Sequence, residues 1–190
     1  MTGGFWRTNG DDDLRSQLVF ILRRLGGCLD ESSGDVMTNF LAAGLFLLQA
    51  LKWPLAKRDR KKRPSFGQLG SAQRTRLISH ANESHLLPEL MLLRPRAILA
   101  MGNAAWQACV EFIPGDGARL RKLGIRDVRG QCFEARLGST SVPLGATLLP
   151  VDQNMRIGTN ASLIRQDVEA FLTPYRNNIP LLAQERPSGP

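Results

Sequence analysis

Apolar and polar positions change period several times along this chain, and each change marks a candidate element. Leu14, Leu18, Ile21, Leu22 and Leu25 fall on one helical face, with Asp11, Asp12 and Asp13 before them and Gly26-Gly27 after them. Acids at the start suit the helix dipole, and glycine at the end suits a left-handed cap. A second helical stretch covers 34–43. Residues 45–51 are then apolar except for Gln49, as in a strand buried on both faces, although periodicity alone leaves a short buried helix open. Ser71 is a fair N-cap for a helix running to about Leu93, kinked or interrupted at Pro88. Arg94-Pro95 launches a second apolar strand at 96–101, Gly102-Asn103 turns the chain, and a short helix covers 104–112.

Beyond an irregular Pro/Gly segment at 113–123, two β-like runs at 128–137 and 142–150 are separated by residues 138–141, the pattern of a hairpin. Thr159 or Asn160 caps a last helix at 161–172, with Leu163, Ile164, Val168, Phe171 and Leu172 as its buried face. Residues 1–10 read as loose and 173–190 as an extended tail, leaving 1–172 as a single domain. Alternating strands and helices predict an α/β fold, a three-layer α/β/α sandwich around a mostly parallel central sheet. Ligands of such sheets bind beyond the carboxyl ends of the strands. Three places meet that rule: Gln49 with Lys52, Gly102 with Asn103, and Asp152 with Gln153 and Asn154.

Charge sharpens this picture. The 190 residues carry a formal net charge of +8 and a pI of about 10.2, so nucleic acid or another anionic surface is the first partner class to consider. Between 52 and 63 stand Lys52, Lys57, Arg58, Arg60, Lys61, Lys62 and Arg63 against the single acid Asp59. This run is either a polyanion site or a solvated stretch of charge. Gly102-Asn103 is likewise either a turn that aims free amides at an anion or a tight turn and nothing more. Asp152 is either a working carboxylate or a turn residue bonded to its own backbone, and Gln49 either a reading amide or a buried one satisfied by backbone.

Cys28, Cys109 and Cys132 form no CxxC pair, which points to neither a disulfide framework nor a zinc or iron–sulfur site. Three consecutive aspartates point in different directions and suit a helix start better than a metal. His80 and His85, five apart, read as surface or packing residues. Neither metal nor cofactor is expected. No apolar stretch reaches the ~18 residues of a membrane span, and a monomer in the reducing cytoplasm is the expected state.

Three stretches, LFLLQALKWP at 45–54, LLPELMLLRPRAILAMGNAAWQAC at 86–109 and LLPVDQNMRIGTNASLIRQDVEAFL at 148–172, together resemble the uracil-DNA glycosylase superfamily, in particular its small bacterial single-domain branches. The resemblance spans about 34–172 and implies a uracil-DNA-glycosylase-like sandwich. It also implies an enzyme of base excision that flips a base from DNA and hydrolyses its N-glycosidic bond. On that reading Gln49 and Asn154 bind the base, and Asp152 and Gln153 serve the chemistry. Lys52, Arg58, Arg60, Lys61, Lys62, Gly102, Asn103 and Arg156 take phosphates.

The chain also departs from the family pattern. Gln49 stands where the family carries a base-reading Asn, residues 152–154 stand where it carries His-Pro-Ser, and Trp53 falls where a cluster cysteine would be. The Gly-rich first motif has no counterpart, and the chain is expected to begin at or after it. These departures point to a base other than uracil, such as a modified pyrimidine of phage DNA met in antiviral defence. A catalytically silent DNA-binding relative and a basic interaction module on the same fold are the alternatives.

Overall fold

The computed structural model describes residues 48, 50, 66–149 and 158–178. The chain divides into two compact units, Leu48–Thr147 and the paired segments Met1–Leu47 and Leu148–Pro190; each is described by itself.

In the first unit, helix α1 covers Ser71–Ala81. Gly70, and not Ser71, is its N-cap, because the Gln73 side chain reaches back to accept the Gly70 N–H at 3.3 Å. A five-residue π-helical turn, Asn82–Leu86, joins it to α2, Leu87–Leu93. The wide turn explains how the chain accommodates Pro88. Leu87 N–H bonds Asn82 O, five residues back, so the helix has already widened where proline lacks a donor and would crowd the carbonyl four residues earlier. The helix then stops at Arg94, whose φ of 47° is left-handed. The following Pro95 disfavours the right-handed helical region for Arg94.

Three strands follow: β1 at Ile98–Met101, β2 at Cys132–Leu137 and β3 at Thr140–Thr147. Their order is β1-β3-β2, with β1 parallel and β2 antiparallel to β3. Among the described residues this is a mixed three-stranded sheet in an α/β arrangement, where a mostly parallel one was expected. As the central strand, β3 buries Val142 and every residue from Leu144 to Thr147. Pro143 lies one position before the parallel ladder starts at Leu144; with a neighbour on one side only, its missing N–H is tolerated. As an outer strand, β2 alternates: Ala135 and Leu137 are buried, while Cys132, Glu134 and Arg136 are exposed. Leu137 pairs with Thr140 across a two-residue turn, and Gly138 has φ +61°, as the first position of a type II′ turn requires.

Between β1 and β2 come α3, Asn103–Cys109, a 3-10 turn at Val110–Phe112, and two single-turn helices, α4 at Gly117–Leu120 and α5 at Ile125–Val128. The β-like run expected from Val128 therefore begins four residues later, at Cys132. Gly124 N–H is accepted by Asp127 Oδ2 at 2.8 Å, which closes α5 as a helical turn, and Val128 is buried as the apolar side of that turn.

Trp106 anchors the core. It is fully buried, stacks at a tilt on Phe133 with ring centroids 5.2 Å apart, and donates Nε1–H to Leu123 O at 3.3 Å. The same buried cluster includes Leu90, Ala100, Val110, Leu120, Val142 and Leu144. Asn82 is a polar member of this interior; its Nδ2 donates to Ala108 O and to Glu111 Oε2, both at 3.0 Å. It ties the π turn to the end of α3 across 26 residues.

In the second unit, α6 covers Gly158–Leu172. Thr159 and Asn160 lie inside its first turn, where caps were expected. Its buried stripe is Asn160, Ala161, Ile164, Asp167 and Val168, a helical spacing, with Leu163, Phe171 and Leu172 half-buried. The chain continues as 3-10 turns over Thr173–Asn178, where an extended tail was expected. Thr173 Oγ1 donates back to Glu169 O at 2.6 Å.

Trp106→Ala should cost about 3–5 kcal/mol through lost packing and a residual cavity. Trp106→Phe should cost less, the missing hydrogen bond to Leu123 O contributing about 1 kcal/mol. Urea unfolding midpoints of the three proteins test the order.

Candidate nucleic-acid interface

The carboxyl ends of β1 and β3 form the edge at which the sequence places its sites. Apolar β1 ends at Met101, and Gly102 turns the chain into α3 with φ 85° and ψ 169°, a region essentially restricted to glycine. Gly102 N–H donates to Thr147 O at 2.8 Å, and Gly102 O accepts from Trp106 N–H at 3.0 Å. This glycine therefore closes the β1–β3 ladder and opens α3 together. Asn103 follows as the first residue of the helix and is exposed.

On the other flank of β3, Gly130 (φ 71°) donates its N–H to Ala146 O at 3.0 Å. The α5–β2 turn is thus brought to the same edge as Gly102 and Asn103. Sequence reading missed this turn. Its signal was available: a glycine two residues before the first residue of a strand, at the end of an arginine-rich segment.

Of the residues singled out from sequence, Gly102 and Asn103 are described, and they form the strand–glycine–helix turn expected of them. Gln49, Lys52, Arg58, Arg60, Lys61, Lys62, Asp152, Gln153, Asn154 and Arg156 lie outside the described residues. On either side of Gln49, Leu48 and Ala50 are half-buried and packed against the core of the first unit, yet neither belongs to a strand. The apolar pattern at 45–51 marks these two positions as partial core contacts, and apolar character does not by itself specify ladder pairing. The run expected to extend β3 to Pro150 stops at Thr147, where β1 has already turned away as α3.

His80 is exposed, with Nδ1 3.4 Å from Ser84 Oγ, and His85 is half-buried. Among the described residues, no three His, Cys, Asp or Glu side chains gather as metal ligands, and no helix is long and apolar enough to cross a membrane.

The two described cysteines contrast. Cys132 is exposed on β2, whereas Cys109 is buried in α3, and burial pushes its thiol up to about 12.

No family model matches the chain, and no solved structure matches it. A stretch of 66 residues, 35% of this chain, is 35% identical to a type-4 uracil-DNA glycosylase of Pyrobaculum aerophilum and covers 31% of that protein. The chain thus spans about a third of the length of this relative, and the similarity supports a relationship to the uracil-DNA glycosylase superfamily.

The cysteine contrast is directly testable. A thiol-alkylating reagent should modify Cys132 rapidly in the native protein and Cys109 only on unfolding, read by mass spectrometry of the tryptic peptides 97–119 and 130–136. Because the folded state holds the Cys109 proton more tightly, its share of stability is intact below about 9 and is lost as pH rises through about 12.

Proposed function

We propose that this protein is a DNA glycosylase of the uracil-DNA glycosylase type, built on a three-layer sandwich and acting as a monomer in the cytoplasm. The observation that carries the reading is the 35% identity over 66 residues to a protein of that activity. The strand–Gly102–helix turn and the formal charge of +8 agree with it. In this reading a nucleotide leaves the stack and its base is held by Gln49 and Asn154. Water adds to the sugar C1′ as the N-glycosidic bond breaks; the bond's electron pair leaves with the base, which takes up a proton, and an abasic site remains.

Asp152 orients the water or favours the positively charged sugar, as carboxylates do in glycoside cleavage generally, with Gln153 beside it. Lys52, Arg58, Arg60, Lys61, Lys62 and Arg156 neutralise phosphates; at the turn this role falls to exposed Asn103, because the Gly102 N–H expected to share it is held by Thr147 O.

Gln49 keeps the donor and acceptor of an amide but carries them one methylene further out than Asn. The proposed substrate is accordingly a base other than uracil, and modified pyrimidines of phage DNA, with a role in defence, fit such a pocket. A second reading, a silent DNA-binding relative, is favoured by Asp152-Gln153-Asn154 standing where the resemblance calls for His-Pro-Ser.

The two readings separate on DNAs carrying uracil, hypoxanthine, 5-hydroxymethylcytosine or glucosylated cytosine, each assayed for alkali-labile breaks. The glycosylase reading predicts breaks on at least one, and an Asp152→Ala loss of roughly 10²–10⁴-fold in rate with DNA affinity retained. Cleavage unaffected by Asp152→Ala would remove that residue from the chemistry. Salt-sensitive binding without breaks on any substrate would favour the silent relative.

A further inference from the structure

Positive charge is unevenly spread over the described part of the first unit. Residues 117–131 carry Arg119, Arg121, Lys122, Arg126 and Arg129 against the single acid Asp127. Elsewhere in 66–149, the arginines 74, 76, 94, 96 and 136 are balanced by Glu83, Glu89, Glu111, Asp116 and Glu134. The whole excess of positive charge in 66–149 therefore belongs to one segment, the α4–α5 connection between α3 and β2.

That segment is folded and pinned at both ends. Leu120 and Val128 are buried, and Ile125 packs partly against the core. The backbone is held from within: Gln107 Nε2–H donates to Arg121 O at 2.9 Å, Trp106 Nε1–H donates to Leu123 O, and Gly130 N–H donates to Ala146 O. With Leu120, Val128 and these carbonyls directed inward, the side chains of Arg119, Lys122 and Arg126 are left exposed. Lys122 and Arg126 are exposed. Arg119 pairs with Asp116 at 3.2 Å, but the two side chains are 74% and 60% exposed, so solvent screens that pair strongly. Arg121 is engaged by Glu111 at 3.4 Å. Asp127 is turned to Gly124 N–H and caps its own helical turn. Gly130 brings the end of the segment to the sheet edge where Gly102 lies.

We propose that Arg119, Lys122 and Arg126 form a second DNA-phosphate contact strip, separate from the 52–63 run. It positions the duplex against the carboxyl edge of the sheet. This rests on the DNA-acting reading above and deepens it. Its physical advantage is preorganisation: cations on a segment already held by the core lose less conformational freedom on binding than cations on a backbone that must be ordered first. Phosphate-directed cations of this kind fix register and affinity and carry no base information.

The test is the salt dependence of binding to a duplex lacking any modified base, for the full chain and two triple variants. One is Arg119→Gln with Lys122→Gln and Arg126→Gln. The other, removing equal charge from the balanced remainder, is Arg74→Gln with Arg76→Gln and Arg136→Gln. Thermal unfolding of each variant checks that the changes leave the fold intact. The slope of log K against log salt should fall by about 2–3 in the first variant, roughly 0.9 for each phosphate no longer neutralised, and by less than about 1 in the second. Equal decreases in both would reduce the effect to net charge and overturn the strip, as would an unchanged slope in the first. Binding to an acidic polypeptide but not to DNA would overturn it in favour of a protein partner. A reduced slope in the first variant, from a protein that forms no abasic site on any base tested, would uphold the strip while the glycosylase reading fails.

Discussion

At the end of β3, two successive carbonyls each accept an N–H from a glycine on opposite flanks: Thr147 O from Gly102 at 2.8 Å, and Ala146 O from Gly130 at 3.0 Å. Neither bond belongs to a regular ladder. Each stands where an adjoining strand ends or begins, and each glycine has positive φ, so the backbone reaches the carbonyl and turns away at once. The first bond sends β1 into α3; the second delivers the α4–α5 segment into β2. Both turns at the carboxyl edge of the sheet hang from this pair.

Behind that edge the packing explains why the turns are held. Trp106 lies one helical turn after Gly102 and is fully buried against Phe133 of β2, so α3 cannot shift without opening the core. The ring also reaches forward to Leu123 O. Asn82 reaches from the π turn to Ala108 O and Glu111, and Glu111 in turn pairs with Arg121. A chain of polar links thus runs from the α1–α2 helix through α3 to the basic segment. Breaking such links would strand buried donors at a cost in stability, and the links give the basic segment a fixed base.

Much of this was legible in the residues. Arg94-Pro95, the apolar run before Gly102, and the helix after it read correctly because each rests on a local rule: proline restricts its predecessor, and glycine tolerates the turn. The hairpin was legible from Gly138, though its turn proved to be two residues. What was misread depends on tertiary context. Val128 resembles the start of a strand, yet it is the buried side of a helical turn capped by Asp127. The accommodation of Pro88 by a π turn needs the bond from Leu87 to Asn82, which no periodicity announces. The strand–Gly102–helix turn was legible from its Gly-Asn pair. The Gly130 turn was missed because its bond to Ala146 O joins positions distant in sequence, and the cations before it read only as part of an irregular segment.

If the carboxyl edge is preorganised by β3, its two closing amides must share the stability of the sheet. Hydrogen exchange resolved at single residues tests this directly. The account predicts that Gly102 and Gly130 amides exchange with protection approaching that of a central-strand amide such as Leu144. Exchange of either glycine at the rate of an exposed turn would contradict it, and the edge would then be a loose pair of loops and not a built surface.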